Sequence, residues 1–330
     1  MTSKAIRLEL TKQQALTQIL PNWLALVSLF IGIVGISFAA IFIKLSESEL
    51  SPYATIFNRL WISTASLGLV NGIQAIRRRY APDQVEKSPK NSGDFTKYIW
   101  LFVGYGTFFA ASQLFWAWSI TQTSVAISTV LHNLTPLFTC LLAWLLFGKH
   151  FDNKFILGMV IALSGVVVIE FEDLQVATGK VQGDLAAVVS AILVAGYLLI
   201  VERLRTKFSA NKILMWGSAI ATLATIPILW ITQERIFPYS WKGWLFVIGL
   251  ALVCQIIGQG LIVYSQNMLS SGFIAIAFLL DPVLTSLQAW LIFSERLSVS
   301  CWIAFAVVLL GIYFAQLSKS AVKEESRGNS

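Results

Sequence analysis

Long apolar runs recur along the whole chain, and they constrain its fold more than any other feature. They lie at about 22–43, 53–75, 99–119, 124–147, 155–169, 185–201, 213–232, 243–265, 273–293 and 301–317. A helix of about 20 residues crosses the roughly 30 Å hydrocarbon core of a membrane. The runs lack the sustained alternation that a membrane barrel needs, so helices satisfy their backbone groups best. The sequence predicts an all-α integral membrane protein with ten transmembrane helices.

The composition agrees with a membrane protein. Of 330 residues, 56% are hydrophobic and 12% are charged, which is about half the charged share of a soluble domain. The first run follows Lys4, Arg7 and Lys12, as a signal peptide does. It is too long for a signal peptide's apolar region and nine more runs follow it, so we interpret it as an uncleaved helix.

The positive charges predict the orientation. With the N-terminus in the cytoplasm, 18 of the 24 lysines and arginines fall in cytoplasmic segments and 5 on the opposite side. This asymmetry predicts that both termini are cytoplasmic. It also accounts for the net charge of +7, so we expect no nucleic-acid partner. The chain shows no transit-like leader, which favours the plasma membrane, or the inner membrane of a bacterium.

One stretch of the chain occurs nearly twice. Residues 131–147 read LHNLTPLFTCLLAWLLF, and residues 277–293 read AFLLDPVLTSLQAWLIF. Aligned without a gap at an offset of 146, the register continues outward over about 50 residues. It pairs Gln113 with Gln259, Pro136 with Pro282, Thr139 with Thr285 and Gly165 with Gly311. Such a constant register indicates an internal repeat rather than chance similarity of apolar sequence.

The repeat divides the chain into two halves of five helices. We predict an N-terminal cytoplasmic segment at 1–21, repeats at 22–171 and 182–317, and a cytoplasmic tail at 318–330. Because five is odd, the second half enters the membrane from the opposite side. The result is an inverted repeat about a pseudo-two-fold axis in the membrane plane, an arrangement typical of alternating-access transporters.

The two copies also resemble a known family. QLFWAWSITQTSVAISTVLHNLTPLFTCLLAWLLFGKH and QGLIVYSQNMLSSGFIAIAFLLDPVLTSLQAWLIFSERLS are similar to the helix 3–4 and helix 8–9 signatures of the drug/metabolite transporter superfamily, EamA type. The resemblance covers residues about 20 to 318. The family's terminal glycine-glutamate pair is incomplete, since Lys149 follows Gly148 and Ser294 precedes Glu295. The resemblance implies a secondary transporter of small metabolites, commonly an exporter of amino acids or related compounds, while other members carry sugar derivatives or cations.

Three ionisable residues near the middle of spans are candidates for the transport pathway, because such side chains cost at least about 2.5–3.5 kcal/mol there. Asp281 lies in one polar stripe with Thr285 and Gln288, at i, i+4 and i+7. It serves the pathway as a proton carrier or counter-charge, or it forms a structural pair with Arg59. Arg59 itself either pairs within the fold or recognises an anion.

His132, the third of these residues, has the amide of Asn133 beside it. A histidine titrates near neutral pH and so offers a proton-linked role, although a single histidine in a bundle is often merely hydrogen-bonded. The other candidates are paired amides, aromatic side chains and two mid-span prolines that break backbone hydrogen bonds and serve as hinges. They are Gln113, Gln259, Trp116, Trp118, Tyr197, Tyr264, Pro136 and Pro282. The amides either bond across the pseudo-two-fold axis or contact substrate, and the aromatic residues either line the pathway or pack.

Other functions have less support. An uncoupled facilitator or channel-like pore is an alternative, although nothing resembles a selectivity filter. An intramembrane enzyme is a remote alternative, because the sequence has no catalytic motif such as HExxH or GxSxG, and it has no P-loop. We therefore expect no enzyme activity, no cofactor and no metal. The expected partners are a small-molecule substrate, the lipid bilayer and, if transport is coupled, protons. The protein is a monomer or a homodimer.

Overall fold

The computed structural model describes residues 3–80, 95–123, 125–169, 181–293 and 298–322. Helices occupy nearly all of these residues, and each of the ten predicted spans falls in one helix or in two consecutive helices. The helices are α1 (Ser3–Ser46), α2 (Pro52–Tyr80), α3 (Phe95–Gln122), α4a (Val125–His132), α4b (Thr135–Phe147), α5 (Asn153–Ile169), α6 (Val181–Leu204), α7 (Ala210–Thr232), α8 (Trp241–Ser265), α9a (Ser271–Ala277), α9b (Leu280–Phe293) and α10 (Val299–Gln316). The predicted all-α architecture is confirmed.

Within the described residues, eight spans are long and apolar enough to cross a membrane by length and composition. They are α1, α3, the two broken spans α4 and α9, α6, α7, α8 and α10. Helix α5 is apolar but has only 17 residues. Helix α2 carries Asn58, Arg59 and Asn71, and these polar residues lower its hydropathy. The most polar helix of the bundle therefore contributes a predicted site residue.

Spans 4 and 9 are broken at matching places. Helix α4a ends at His132 and α4b begins at Thr135, while α9a ends at Ala277 and α9b begins at Leu280. A proline near the start of each second helix removes a backbone donor. The carbonyls left without that donor are satisfied locally. Thr135 Oγ1 donates to the His132 carbonyl at 2.7 Å, and the Asp281 N–H donates to the Phe278 carbonyl at 2.9 Å.

Helix packing follows the repeat. Helix α3 packs on α6 as α8 packs on α1, and α4b packs on α6 as α9b packs on α1. Helices α5 and α10, which correspond to each other, share one close crossing. A Cβ on Gly165 would lie 2.7 Å from Val308 Cγ2, and one on Gly311 would lie 2.3 Å from the Ala162 nitrogen. These two contacts correspond under the 146-residue offset, so the crossing has two-fold character.

Helix α8 is π-helical over Leu250–Gln259. Long π-helical segments are rare, and π-type turns occur frequently at functional sites. The segment carries Gln255 and Gln259, both buried. Its Gly258 packs against α1, where a Cβ would lie 3.0 Å from the Ile36 nitrogen. This close approach brings the glutamines of α8 to the centre of the bundle.

The two ends of the bundle are built differently. We call the end that holds the links at 148–152, 205–209 and 266–270 the C-terminal end, because residues 317–322 return to it. There, the Ser270 N–H donates to the Ala321 carbonyl at 2.9 Å. The opposite end, which we call the far end, holds the links at 47–51 and 233–240.

Candidate functional site

A cavity of about 350 Å³ lies between the two helix breaks and is lined by α1, α2, α3, α4, α6, α8 and α9. This volume is within the range of small-molecule sites. Eleven of the fourteen residues that we named as candidates for the pathway and its hinges line it. They are Arg59, Gln113, Trp116, His132, Asn133, Pro136, Tyr197, Gln259, Asp281, Pro282 and Thr285. The structure therefore brings these residues together, and their roles in transport remain predictions.

Arg59 is held at the cavity by neutral groups. Its Nε donates to Gln255 Oε1 at 2.8 Å, and its Cζ lies 6.0 Å from the centroid of the Phe109 ring. Gln255 in turn donates from Nε2 to Ser218 Oγ at 3.3 Å. This arrangement fixes the stem of the guanidinium. No other hydrogen bond of the guanidinium occurs among the described residues.

Asp281 faces the same cavity from the first turn of α9b. Its Oδ1 is buried and has no hydrogen-bond partner within the ranges described. Nor do those ranges contain a salt bridge within 4.0 Å between Asp281 and Arg59, which was one of the alternatives left open by the sequence. A buried carboxylate oxygen without a partner is costly, which makes Asp281 the exceptional acidic group of the cavity within the described residues.

Two neutral donors also lie beside the cavity. Trp116 Nε1 is buried and makes no hydrogen bond to any described residue. Gln259 Nε2 is buried without a hydrogen bond of normal geometry in the described residues, and it lies near the hydroxyls of Tyr105 and Tyr197. Gln113 lines the cavity as well, but no hydrogen bond joins it to Gln259 in the described part of the chain, contrary to one of our two alternatives for this pair. The cavity thus offers a cation and neutral donors together with a carboxylate.

His132 is anchored to α6 at one ring nitrogen. Its Nδ1 lies 2.9 Å from Ser190 Oγ, and Ser190 Oγ donates to the Ser112 carbonyl at 2.7 Å. The indole of Trp116 lies beside the imidazole, with the ring centroids 5.8 Å apart. His132 is therefore both hydrogen-bonded within the bundle and positioned on the cavity.

The polar stripe on α9b is divided between two tasks. Asp281 and Thr285 line the cavity, whereas Gln288 does not and instead joins α9b to α1. Its Nε2 donates to Ser37 Oγ at 2.7 Å. Thr285 also donates to the Ser37 carbonyl at 3.3 Å. The prediction that Gln288 lines the pathway is therefore not supported by its position, since α1 packs against α9b at that turn.

The aromatic candidates divide in the same way. Trp116 and Tyr197 line the cavity, whereas Trp118 and Tyr264 are 38% and 41% exposed on the outside of the bundle.

Gln255 and Ser190 were not among the predicted site residues. Gln255 has a recognisable signal, a second amide one turn before Gln259 in an apolar span. Ser190 has none, because a serine among small apolar residues is ordinary in a membrane helix.

The C-terminal end of the bundle is closed below the cavity. Lys149 Nζ lies 2.5 Å from Glu202 Oε1, and the Ser271 N–H donates to Glu202 Oε2 at 2.8 Å. Ser318 Oγ donates to Asp152 Oδ2 at 2.7 Å, which ties the C-terminal residues to the link before α5. These contacts join α4b, α6, α9a and the chain after α10.

The Asp152 carboxyl also caps α5, since its Oδ1 accepts the Phe155 N–H at 2.8 Å. Partial burial raises the pKa of Asp152, but the hydrogen bonds from Phe155 and Ser318 outweigh burial and hold that pKa below its usual value. The carboxylate is therefore charged at neutral pH and available to both partners.

The cavity lies nearer the far end. On α1 it is lined by residues 36–43, close to the end of that helix at Ser46. On α4a it is lined by Thr129 and His132, within eight residues of the start of that helix. The cavity therefore lies towards the far end, and the Lys149–Glu202 and Ser318–Asp152 contacts lie at the C-terminal end.

Comparisons with known proteins agree with this architecture. A family model described as the EamA-like transporter family matches residues 22–171 and again residues 181–317. A solved crystal structure superposes with a TM-score of 0.70 at 19% identity, covering 89% of this chain and 96% of its own. At that identity the likeness concerns the fold alone.

Three curated relatives are transporters by name. The pseudopaline exporter CntI of Pseudomonas aeruginosa is 22% identical over 180 residues, which are 54% of this chain and 61% of the exporter. An uncharacterized transporter of Archaeoglobus fulgidus is 23% identical over 60% of this chain and 69% of its own length. YdfC, an uncharacterized transporter of Bacillus subtilis, is 23% identical over 59% of this chain and 63% of its own. The match thus spans about three fifths of the exporter's length.

Proposed function

We infer the function of this chain from the premise that it belongs to the EamA-like transporter family, whose model matches both of its halves. It is an integral membrane transporter. We propose that its substrate is a small zwitterion, an amino acid or a related compound, carried by alternating access. The observation that carries this proposal is the pair Arg59 and Asp281, which line one cavity with no ion pair between them in the described residues.

The unpaired groups match the two charges of such a substrate. A carboxylate accepts from the guanidinium of Arg59, which favours two parallel hydrogen bonds. Trp116 Nε1, which has no partner in the described residues, donates to the same carboxylate. An ammonium group donates to Asp281 Oδ1. A cavity of about 350 Å³ has room for a metabolite of amino-acid size.

Alternating access follows from the two halves. If they form the inverted repeat predicted from the sequence, exchanging their conformations closes the far end and opens the C-terminal end. The breaks at Pro136 and Pro282 are suited to absorb this movement, because backbone hydrogen bonds are already missing there. The closure at Lys149 and Glu202 favours a carrier over a continuously open pore. A monomer is sufficient for this mechanism.

Proton coupling has a physical reason in Asp281. An ionised carboxylate without a partner is expensive when the cavity closes. With substrate bound, the ammonium balances Asp281, whereas the empty carrier returns more easily with a proton on that carboxylate. We therefore propose exchange of substrate against protons. In the plasma membrane, with both termini in the cytoplasm, this exchange drives export, the direction that the pseudopaline exporter has by its name.

Counterflow in proteoliposomes tests the proposal. Vesicles are loaded with unlabelled amino acids, sugars or nucleosides, and the entry of labelled solute is followed with and without a pH gradient. We expect saturable exchange for amino acids or their relatives, a dependence on the gradient, and loss of that dependence in Asp281→Asn. Exchange of sugars or nucleosides alone would contradict the zwitterion, and entry without stimulation from the opposite side would indicate a channel.

A further inference from the structure

The hydrogen bond between His132 and Ser190 has a direction that the available protons determine. Ser190 Oγ lies 2.7 Å from the Ser112 carbonyl oxygen and 2.9 Å from His132 Nδ1. A carbonyl oxygen accepts but cannot donate, and two oxygens at 2.7 Å without a hydrogen between them repel each other. The single hydroxyl proton of Ser190 therefore lies towards Ser112.

Because that proton is already engaged, Ser190 Oγ accepts from His132. Nδ1 must then carry a hydrogen and donate it. In a neutral imidazole one nitrogen donates and the other accepts, so the opposite nitrogen, Nε2, is the acceptor. Nε2 has no hydrogen-bond partner among the described residues, and His132 lines the cavity. The free acceptor is thus available to a ligand.

We propose that Ser190 is a positioning residue that holds His132 in the tautomer with the proton on Nδ1, so that Nε2 presents a hydrogen-bond acceptor to the substrate. Without Ser190, the imidazole is free to place its proton on Nε2 and to present a donor instead. The assignment of Nε2 to a substrate rests on the proposed function. The tautomer itself rests only on the two distances at Ser190.

The acceptor changes which substrates fit the cavity. Arg59, Trp116 Nε1 and Gln259 Nε2 are donors, whereas Asp281 Oδ1 is a buried acceptor without a partner in the described residues. The amides of Gln113 and Asn133 also line the cavity, and each can donate or accept. With Nε2 as a second acceptor, the site takes a substrate with two donors apart from its carboxylate. Examples are an ammonium group that shares its hydrogens between Asp281 and His132, or a hydroxyl or second amine on the side chain. Purely apolar amino acids use only one of these acceptors when their ammonium reaches Asp281 alone.

Nitrogen NMR of the histidines tests the tautomer directly. The chain has only two histidines, His132 and His150, so ¹⁵N-histidine labelling of the full-length protein in liposomes gives two sets of ring signals. His150→Gln assigns them. At a pH at which His132 is neutral, we expect a protonated Nδ1 and an unprotonated Nε2 in the wild-type protein.

Three serine variants separate positioning from packing. Ser190→Ala removes the acceptor, and we expect the Nε2-protonated tautomer to appear. Ser190→Thr keeps a hydroxyl and is expected to retain the wild-type signals. Ser119→Ala is the control for loss of a buried serine: Ser119 of α3 donates to the Gly183 carbonyl of α6 at 2.7 Å and lies 2.8 Å from Ser128 Oγ of α4a, but it makes no hydrogen bond to His132. It should leave the tautomer unchanged.

Transport supplies a second readout. We expect Ser190→Ala to raise KM about tenfold for a substrate with two donors and to change it less for a substrate with one. The proposal is overturned if wild-type His132 is protonated on Nε2. It is also overturned if Ser190→Ala leaves the tautomer unchanged in folded protein. Both outcomes hold whatever the protein transports. If NMR shows the expected tautomer but no zwitterion is exchanged, the role of Ser190 stands and the proposed function is wrong.

Discussion

Arg59 and Asp281 line the same cavity, yet no ion pair within 4.0 Å joins them in the part of the chain that the structure describes. Arg59 instead donates from Nε to Gln255 on α8 at 2.8 Å. Under the proposed function, the guanidinium and the carboxylate recognise the two charges of one zwitterion.

Replacing Asp281 by Asn removes the charge but nearly preserves the shape. A hydrogen bond to a charged group contributes about 1.5–3 kcal/mol, so we expect the KM of a zwitterionic substrate to rise by at least tenfold. Substrate analogues without the amine should lose much less. Initial rates of counterflow at several concentrations measure both. Equal losses for the two kinds of substrate would show that Asp281 acts on the fold and not on the ammonium.

Gln255→Leu should weaken recognition of the carboxylate without removing a charge. Arg59 then loses its Nε partner and the fixed orientation of its guanidinium. We expect a rise in KM of about five- to tenfold for substrates with a carboxylate, and little change for the corresponding amines. Ser218→Ala removes only the 3.3 Å bond from Gln255, so it should have a smaller effect. An effect of Ser218→Ala as large as that of Gln255→Leu would point to general packing of α7 and α8.

The Lys149–Glu202 pair should control access from the C-terminal end. The Glu202 side chain is 9% exposed and that of Lys149 is 29% exposed, so water screens their attraction only in part. We expect Glu202→Gln to shift the population towards opening at this end by about 1–2 kcal/mol, or roughly five- to thirtyfold. The rate at which a maleimide modifies Ala275→Cys from that end, in a protein lacking its native cysteines, measures the shift.

The charge-reversed double variant, Lys149→Glu with Glu202→Lys, is the control for the gate. It restores an ion pair with opposite polarity and should bring the labelling rate back towards that of the parent protein. If Glu202→Gln and the double variant label at the same rate, the pair does not control opening.

The α5–α10 crossing should tolerate no side chain at Gly311. A Cβ there would lie 2.3 Å from the Ala162 nitrogen, and overpacking of this kind costs about 1–3 kcal/mol or more. We expect Gly311→Val to lower the Tm of the purified protein measurably and to reduce the yield of folded protein. Gly72 of α2 has nothing within 4 Å of an added Cβ, so Gly72→Ala should be neutral in the same assay. An unchanged Tm in Gly311→Val would contradict the close crossing.

The sequence predicted the helices well because their signal is physical and local. Each run of about 20 apolar residues has few alternatives to a membrane helix, and all ten runs lie in helices. The breaks in spans 4 and 9 were only partly predictable. Pro136 and Pro282 marked the positions of the breaks. The sequence did not show that Thr135 Oγ1 and the Asp281 N–H donate to the carbonyls that the prolines leave without a donor, because these hydrogen bonds depend on local geometry.

The site was predictable where burying a residue is expensive. Arg59, His132 and Asp281 were recognised because an ionisable side chain in the membrane core costs free energy and usually has a function there. All three line the cavity. Gln288 shows the limit of this argument. Its spacing placed it in the stripe with Asp281, but only the packing of α1 against α9b determines that it meets Ser37.

Neutral partners were harder to predict than charges. Ser190 was missed because a serine costs little in a membrane helix, so its position gives no signal. Its proposed role follows from its single hydroxyl proton, which can serve only one of its two neighbours. Only the distances to His132 and Ser112 show that both neighbours lie within hydrogen-bonding range.

The central claim is that one cavity recognises both charges of a small zwitterion. The most direct test compares three molecules with the same side chain in counterflow: an amino acid that the protein exchanges, the amine without its carboxylate, and the acid without its amine. We predict that the amino acid competes at least tenfold better than either fragment. Arg59→Met should abolish the advantage over the amine, and Asp281→Asn the advantage over the acid. Equal competition by all three molecules, or an advantage that survives both substitutions in folded protein, would contradict the account.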